Sequence, residues 1–381
     1  MDTRTMIQED MIMVAIDHER HVAAALGAVL VALALTAAVP VKAQEASEAR
    51  VVPTNQFIIS GYGTIGYAYR PQGEKLNEFT SNFNPIFLFQ FQDRILFEAE
   101  FEFELEEGVT ETGLEYAQFD YIVNDHLTLV GGKFLVPFGV FGERIHPTWI
   151  NKFATAPPIF GHHVSEFGSE PLLPIISDIG VMARGMLRPG PFHVALNGYA
   201  TQGAAAEPGD EEVPELEFPA SSSDNNTGKL LGGRLDVALP PWAEVNFSYF
   251  NGDYDENDVL DFTGWNVAAE FRRMNFELRG EYVQTRQEIE QVTGFPVVRR
   301  DGFYGQLSYR FDRWEPVVRW TQVFDTKLDG KVTDEGAWQA GFGLDYWLSP
   351  AIAFMVVFEL NRESGTEVDN DRIIAHIAYG F

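Results

Sequence analysis

Cysteine is absent from all 381 residues, which removes disulfide frameworks, thiolate metal sites and thiol nucleophiles at once. Lysine is nearly as scarce, occurring after residue 43 only as Lys75, Lys133, Lys152, Lys229, Lys327 and Lys331. Acids outnumber bases 56 to 27 for a net charge of −29, a balance that repels nucleic acid and excludes it as a partner class. After residue 43 no stretch approaches the roughly 18 apolar residues that a membrane-spanning helix needs, so any membrane role of this part must use strands. There is no Gly-x-Ser-x-Gly elbow, and the eight histidines form no evident Ser/His pairing, so neither an enzyme nor a cofactor site is expected.

What is present begins with VAAALGAVLVALALTAAVP behind His18-Glu19-Arg20-His21, followed by Val41-Lys42-Ala43. Small residues at the cleavage positions read as a secretory signal peptide over residues 1–43, leaving a short periplasmic segment at 44–56. Acidic Glu9 and Asp10 are odd for such a signal, and Met11 and Met13 are alternative translation starts.

From Phe57 onward the dominant signal has period two. In FEAEFEFELEE the residues Glu98, Glu100, Glu102, Glu104 and Glu106 fall on one face of a strand, and Phe97, Ala99, Phe101, Phe103 and Leu105 on the other. Sixteen such segments are expected, at about 57–69, 81–91, 95–105, 112–124, 127–135, 178–188, 192–201, 229–238, 243–251, 262–272, 275–286, 301–311, 315–325, 336–347, 351–361 and 371–381. Most have the length of a tilted strand crossing a bilayer. The connections alternate too. Short turns (QDR, DH, RPGP, LPPW, RRM, DRW, LSP) are interleaved with long polar or irregular ones such as RPQGEKLNEFT, NGDYDENDVLD, TKLDGKVTDEG and the stretch after Leu135. The expected fold is therefore all-β: a transmembrane antiparallel up-and-down β-barrel of about 16 strands over residues 57–381, with short periplasmic turns and long extracellular loops. Trp242, Trp314 and Trp347 at short turns, with Trp265 and Trp338 near the opposite ends, are expected as interfacial girdles; Trp320 inside a strand does not fit.

The last segment, DRIIAHIAYGF, places Ile373, Ala375, Ile377, Tyr379 and Phe381 on one face and ends the chain on phenylalanine. It looks like the terminal signal read by the barrel-assembly machinery of Gram-negative bacteria, with Tyr379 and Phe381 as the carriers. Several phrases, in order and spread across most of the chain, resemble the phosphate-selective porin O/P superfamily: SGYGTIGYAY, LEYAQFDYIVNDHLTLVGGKFLVPFG, SDIGVMARG, LLGGRLDV and GFYGQLSYRFDRWEPVVRW. The resemblance implies a homotrimeric outer-membrane porin, surrounded by lipid and lipopolysaccharide, that passes small solutes or ions by diffusion. It also implies a long loop, here about 136–176, folded into the barrel. The lysine cluster of phosphate-binding members is missing, so the lumen charge points to cations or neutral solutes over phosphate. A plugged barrel acting as adhesin, receptor or scaffold is the alternative.

Strand parity assigns charges to the lumen, because an arginine or lysine facing lipid at the midplane costs about 2–4 kcal/mol. The expected pore-lining residues are Glu98, Glu100, Glu102, Glu104, Asp120, Lys133, Arg184, Arg234, Arg279, Arg310 and Arg319. Acids gather on the third strand and arginines on later ones, which predicts a field across the pore. Individual Glu–Arg pairs satisfying one another are the competing explanation. In the long loop Arg144, His146, Lys152, His162, His163 and Glu166 are candidates for the narrowest point. Adjacent His162 and His163 in HHVSE lack helical ligand spacing, so no metal is expected there. Two motifs are set aside. Gly61-Tyr62-Gly63-Thr64-Ile65-Gly66 spells a dinucleotide fingerprint but lies inside an alternating strand. Asp253, Asp255 and Asn257 imitate a calcium loop, but Asp258 stands where the glycine belongs.

Overall fold

The computed structural model describes residues 55–70, 76–106, 109–161, 167, 171–206, 213–220, 226–291, 294–366 and 368–381. The expected signal peptide, most of the segment 44–56, and His162, His163 and Glu166 lie outside the described residues. Among the described residues no helix is long and apolar enough to cross a membrane.

The alternating segments are strands: β1 (Gln56–Arg70), β2 (Leu76–Phe91), β3 (Ile95–Glu106), β4 (Val109–Asn124), β5 (Leu127–Leu135), β6 (Ser177–Leu187), β7 (His193–Thr201), β8 (Ala205–Ala206), β9 (Leu216–Glu217), β10 (Leu230–Leu239), β11 (Ala243–Asp253), β12 (Asp261–Arg273), β13 (Phe276–Glu288), β14 (Val297–Tyr309), β15 (Trp314–Val323), β16 (Thr326–Leu328), β17 (Lys331–Asp334), β18 (Ala337–Ser349), β19 (Ile352–Glu363) and β20 (Arg372–Gly380). Setting aside the small hairpins β8–β9 and β16–β17, sixteen strands close a barrel, each antiparallel to its neighbours, and β20 returns to β1 with Tyr62 opposite Gly380 and Tyr69 opposite Ile373. Closure leaves no unpaired edge.

Parity sorts the side chains as the sequence pattern requires. On β3, Phe97, Phe101, Phe103 and Leu105 point outward and are exposed, whereas Glu100 on the opposite face is 2% exposed. Val181, Leu235, Val245, Leu307 and Val356 continue the apolar exterior around the ring. Only lipid makes such a belt favourable around a polar interior. Trp320, unplaced by the sequence pattern, belongs to this exterior and stacks on Trp338 at 4.7 Å. Trp347 corrects the girdle expectation. It is buried on the inward face, where its indole N–H donates to Glu315 at 2.9 Å.

The rims differ from the expected boundaries in a regular way. Long-loop ends of the strands run past the apolar belt: the β1–β2 connection shrinks to 71–75, β3 and β4 leave only 107–108 between them, and TKLDGKVTDEG contains β16 and β17. These extensions mix polar and apolar residues without a strict alternation, so their pairing leaves no clear period-two trace.

The glycines of the false fingerprint line the closing seam. A Cβ at Gly61 would come within 2.7 Å of the Phe381 ring, one at Gly63 within 2.6 Å of the Tyr379 hydroxyl, and one at Gly66 within 2.0 Å of the His376 ring. Each gap admits a large side chain of β20 or the chain end. Phe381 stacks across the seam on Phe83 of β2, with ring centroids 5.6 Å apart, and exchanges two backbone hydrogen bonds with Gly61, at 3.1 and 2.9 Å.

Candidate functional site

Val136 to Ile176 connects β5 to β6 and is built largely of Phe, Pro, Gly and Ile. It carries one π-turn, Phe141–Ile145, and one helical turn, Thr148–Asn151. Phe138, Val140, Phe141, Ile145, Ile159 and Phe160 pack into a buried apolar cluster with inward residues of the strands, among them Val130, Met182, Phe250, Val283 and Tyr304. Apolar side chains of the segment thus meet apolar inward positions of β5–β7 and β10–β18, a burial that favours this placement.

Polar contacts fix the same arrangement. Glu281 of β13, itself buried, accepts from the backbone N–H of Val140 (3.1 Å) and Phe141 (2.7 Å), from the Asn266 amide (3.0 Å) and from the Tyr304 hydroxyl (3.1 Å). Arg234 donates to the Gly139 carbonyl at 2.8 Å and pairs with Glu143 (2.6 Å) and Asp236 (2.9 Å). Arg279 donates to the carbonyls of Ile150 and Asn151 and pairs with Glu277 at 3.2 Å. Arg319 lies 3.8 Å above the Phe153 ring, donates to the Thr155 carbonyl (2.7 Å) and hydroxyl (2.8 Å), and pairs with Glu359. Lys152 reaches Glu277 (3.0 Å) and Glu315 (2.8 Å). Arg144 pairs with Glu244 (2.5 Å) and Asp236 (3.5 Å). Most of the cations named in the sequence thus join the long segment to the wall behind it.

Across the lumen the acids are arranged otherwise. Glu98, Glu100 and Glu102 share the inward face of β3 with neighbouring Gln118 and Asp120 on β4, and among the described residues no ion pair reaches any of the three. Glu100 accepts the Tyr62 hydroxyl at 2.6 Å, and the Asn84 amide lies 3.5 Å from both Glu100 and Glu102. Arg184 faces Asp120 (3.5 Å) and Glu143 (3.7 Å) at long range. From the loop His146 approaches this wall, its Nε2 competing with Glu100 for the single Tyr62 hydroxyl proton. His146 Nε2 lies 2.9 Å from the Tyr62 hydroxyl, and its Nδ1, at 2.6 Å, must carry the proton donated to the Gly142 carbonyl. Burial pushes this imidazole down to about 4, so the ring is neutral at pH 7.

Between the acidic wall and the loop lies a cavity of about 280 Å3, lined by Glu98, Glu100, Tyr62, Arg144, Arg184 and His146 among others. Five of the sequence-chosen residues meet there. Glu102 and Asp120 adjoin it on the same wall; Glu104 lies further along β3, opposite Glu111. Lys133 stands at the long-loop rim, its ammonium on the Leu114 carbonyl. Arg310 stands at the short-turn rim, 4.8 Å from the Trp347 ring centroid. Arg234, Arg279, Arg319 and Lys152 are taken up in holding the loop. Strand parity puts Glu281 on the inward face without naming its partners, and it does not single out Tyr62. Glu281 meets Phe141 across 140 positions, and Tyr62 meets Glu100 across 38. The calcium-like loop turns its carboxylates onto backbone: Asp255 accepts from Val259 and Leu260, and Asp258 from Thr227 and Gly228. Among the described residues no group of side chains has the make-up of a metal site.

No protein-family model matches the chain, and no curated protein does. Solved structures are similar. A complex of Salmonella typhi OmpF with daunomycin matches with a TM-score of 0.59 at 12% identity, over 86% of this chain and 98% of that one. The outer membrane channel DcaP of Acinetobacter baumannii matches at 0.56 and 12%, over 89% and 100%. An anion-selective porin from Comamonas acidovorans matches at 0.55 and 12%, over 86% and 100%. At these identities the likeness is one of fold, that of outer-membrane barrels.

Proposed function

We propose that the protein is an outer-membrane porin, a passive diffusion channel for small hydrophilic solutes or ions, and not an enzyme. The observation that carries this reading is the cavity between the β3 glutamates and the inward loop, set in a closed barrel whose exterior suits lipid. Glu98 and Glu100 line it and Glu102 adjoins it, and no ion pair among the described residues reaches any of the three, which favours cations and neutral solutes over phosphate. The resemblance to the porin O/P superfamily then extends to fold and channel activity, with the anion preference replaced. A signal peptide over 1–43, delivery by the barrel-assembly machinery through the Tyr379–Phe381 end, a homotrimer, and contact with lipopolysaccharide complete the proposal.

A reversal potential across a planar bilayer in a salt gradient tests it. The expected sign is that of cation selectivity, and clear anion selectivity overturns the charge assignment. A second reading has its own support: the apolar cluster of the loop fills the lumen along β10–β18, as a plug would. A purified barrel that inserts and passes no steady current is that plugged form.

A further inference from the structure

The cavity carries more than charge. Beside Glu98 and Glu100 it is lined by Trp149, Pro147 and Ile150 from the loop and by Ile86 and Leu135 from the wall. A hydrated inorganic ion or a sugar gains nothing from these side chains, which displace water from the passage. The two arginines at the cavity each already face two carboxylates: Arg144 those of Glu244 and Asp236, and Arg184, at longer range, those of Asp120 and Glu143. Glu98 has no hydrogen bond or ion pair among the described residues. Trp149 packs on Met355 and Ala378 of the β19–β20 wall, and its indole N–H is buried without a partner.

We propose that this cavity is a subsite for an organic cation with an apolar or aromatic body, in the simplest case an aralkylammonium. The ammonium meets the Glu98–Glu100 pair, and the hydrocarbon body displaces water from Trp149, Ile150 and Ile86. An aromatic ring edge and an ammonium both find the face of an indole favourable. Either half of such a solute gains from one side of the cavity only. A zwitterion finds its anionic end unserved, because both arginines are occupied. The proposal rests on the channel reading and names its solute class.

The test is interruption of potassium current through single channels in a planar bilayer. The probes are benzylammonium, ethylammonium (the head without the ring), benzyl alcohol (the ring without the charge) and benzoate (the ring with the opposite charge). Half-interruption by benzylammonium is expected at a concentration at least about tenfold below the other three. Trp149→Leu, which keeps an apolar side chain against Ala378, and Glu98→Gln should each bring benzylammonium towards ethylammonium. Glu256→Gln, on an exposed loop, should change nothing. Equal potency of benzylammonium and ethylammonium, or no effect of Trp149→Leu, overturns the subsite while the channel stands. If no current flows, the channel reading fails by itself. Calorimetric titration of detergent-solubilised protein with benzylammonium then decides: heat that disappears in Trp149→Leu and Glu98→Gln keeps the subsite, and no heat removes it.

Discussion

On β3, Glu98, Glu100 and Glu102 meet a tyrosine, an asparagine and open lumen; on β13 and β19, Glu281 and Glu359 are saturated by backbone amides, hydroxyls and guanidinium groups. The residue type is the same on both walls and so is the strand pattern around it. What differs is whether a loop lies on top. Where the 136–176 segment covers the wall, a buried carboxylate must be filled, because an unfilled one costs its full desolvation. Where the wall faces the cavity, neutral Tyr62 and Asn84 meet buried Glu100 and half-buried Glu98 is left to solvent, so the charge is not cancelled by a guanidinium. One wall is therefore structural and the other electrical.

Substitutions should separate the two roles. The largest effect is expected from Arg319→Ala, which strips the buried partner from Glu359 and the anchor from Thr155. A loss of about 3–5 kcal/mol should appear as a lower temperature for the heat-induced mobility shift of the folded barrel in gel electrophoresis. Next is Glu281→Ala, which orphans the Val140 and Phe141 amides. About 2–4 kcal/mol of loop docking should go, read as faster proteolysis within 136–161 and a larger, noisier current. The double change Glu98→Gln with Glu102→Gln should leave that transition within about 0.5 kcal/mol of the parent and move only the reversal potential towards anions. A destabilisation as large as that of Glu281→Ala would erase the distinction between the walls.

A graded effect, without any substitution, concerns pH. His146 is held neutral by burial, its value lowered from 6.5 to about 4. Protonation is thus favoured in the undocked loop: docking is fully supported above about pH 6.5 and weakens as pH falls towards 4. At pH 5.5 the loss is about 1.4 kcal/mol, visible as increased hydrogen exchange over 141–150. His146→Gln should flatten that slope.

The barrel was readable because lipid outside and water inside impose strict alternation, as in FEAEFEFELEE, and because β5 and its neighbours obey it to within a residue or two of their ends. It failed where one of the two solvents is missing. Beyond the membrane both faces are wet, so β2 starts at Leu76, before the 81–91 segment that the pattern marks. Under the loop both faces are dry, so Trp347 looked like a girdle residue and is an inward one. Charge type was legible, and the job of each charge was not. Arg234, Arg279 and Arg319 sit at the expected parity, yet their partners lie on a segment 95 to 164 positions away, which no local spacing encodes.

The seam carries one more consequence. Because Phe381 supplies a carbonyl and an amide to Gly61, and its ring covers the gap that glycine leaves, β20 is tied to β1 beyond the last pair of the ladder. A chain without β20 keeps an open sheet edge, a template for aggregation and a target for degradation. The pairing of β20 with β1 thus joins the two ends of the barrel domain: the cylinder closes only when both strands are in place.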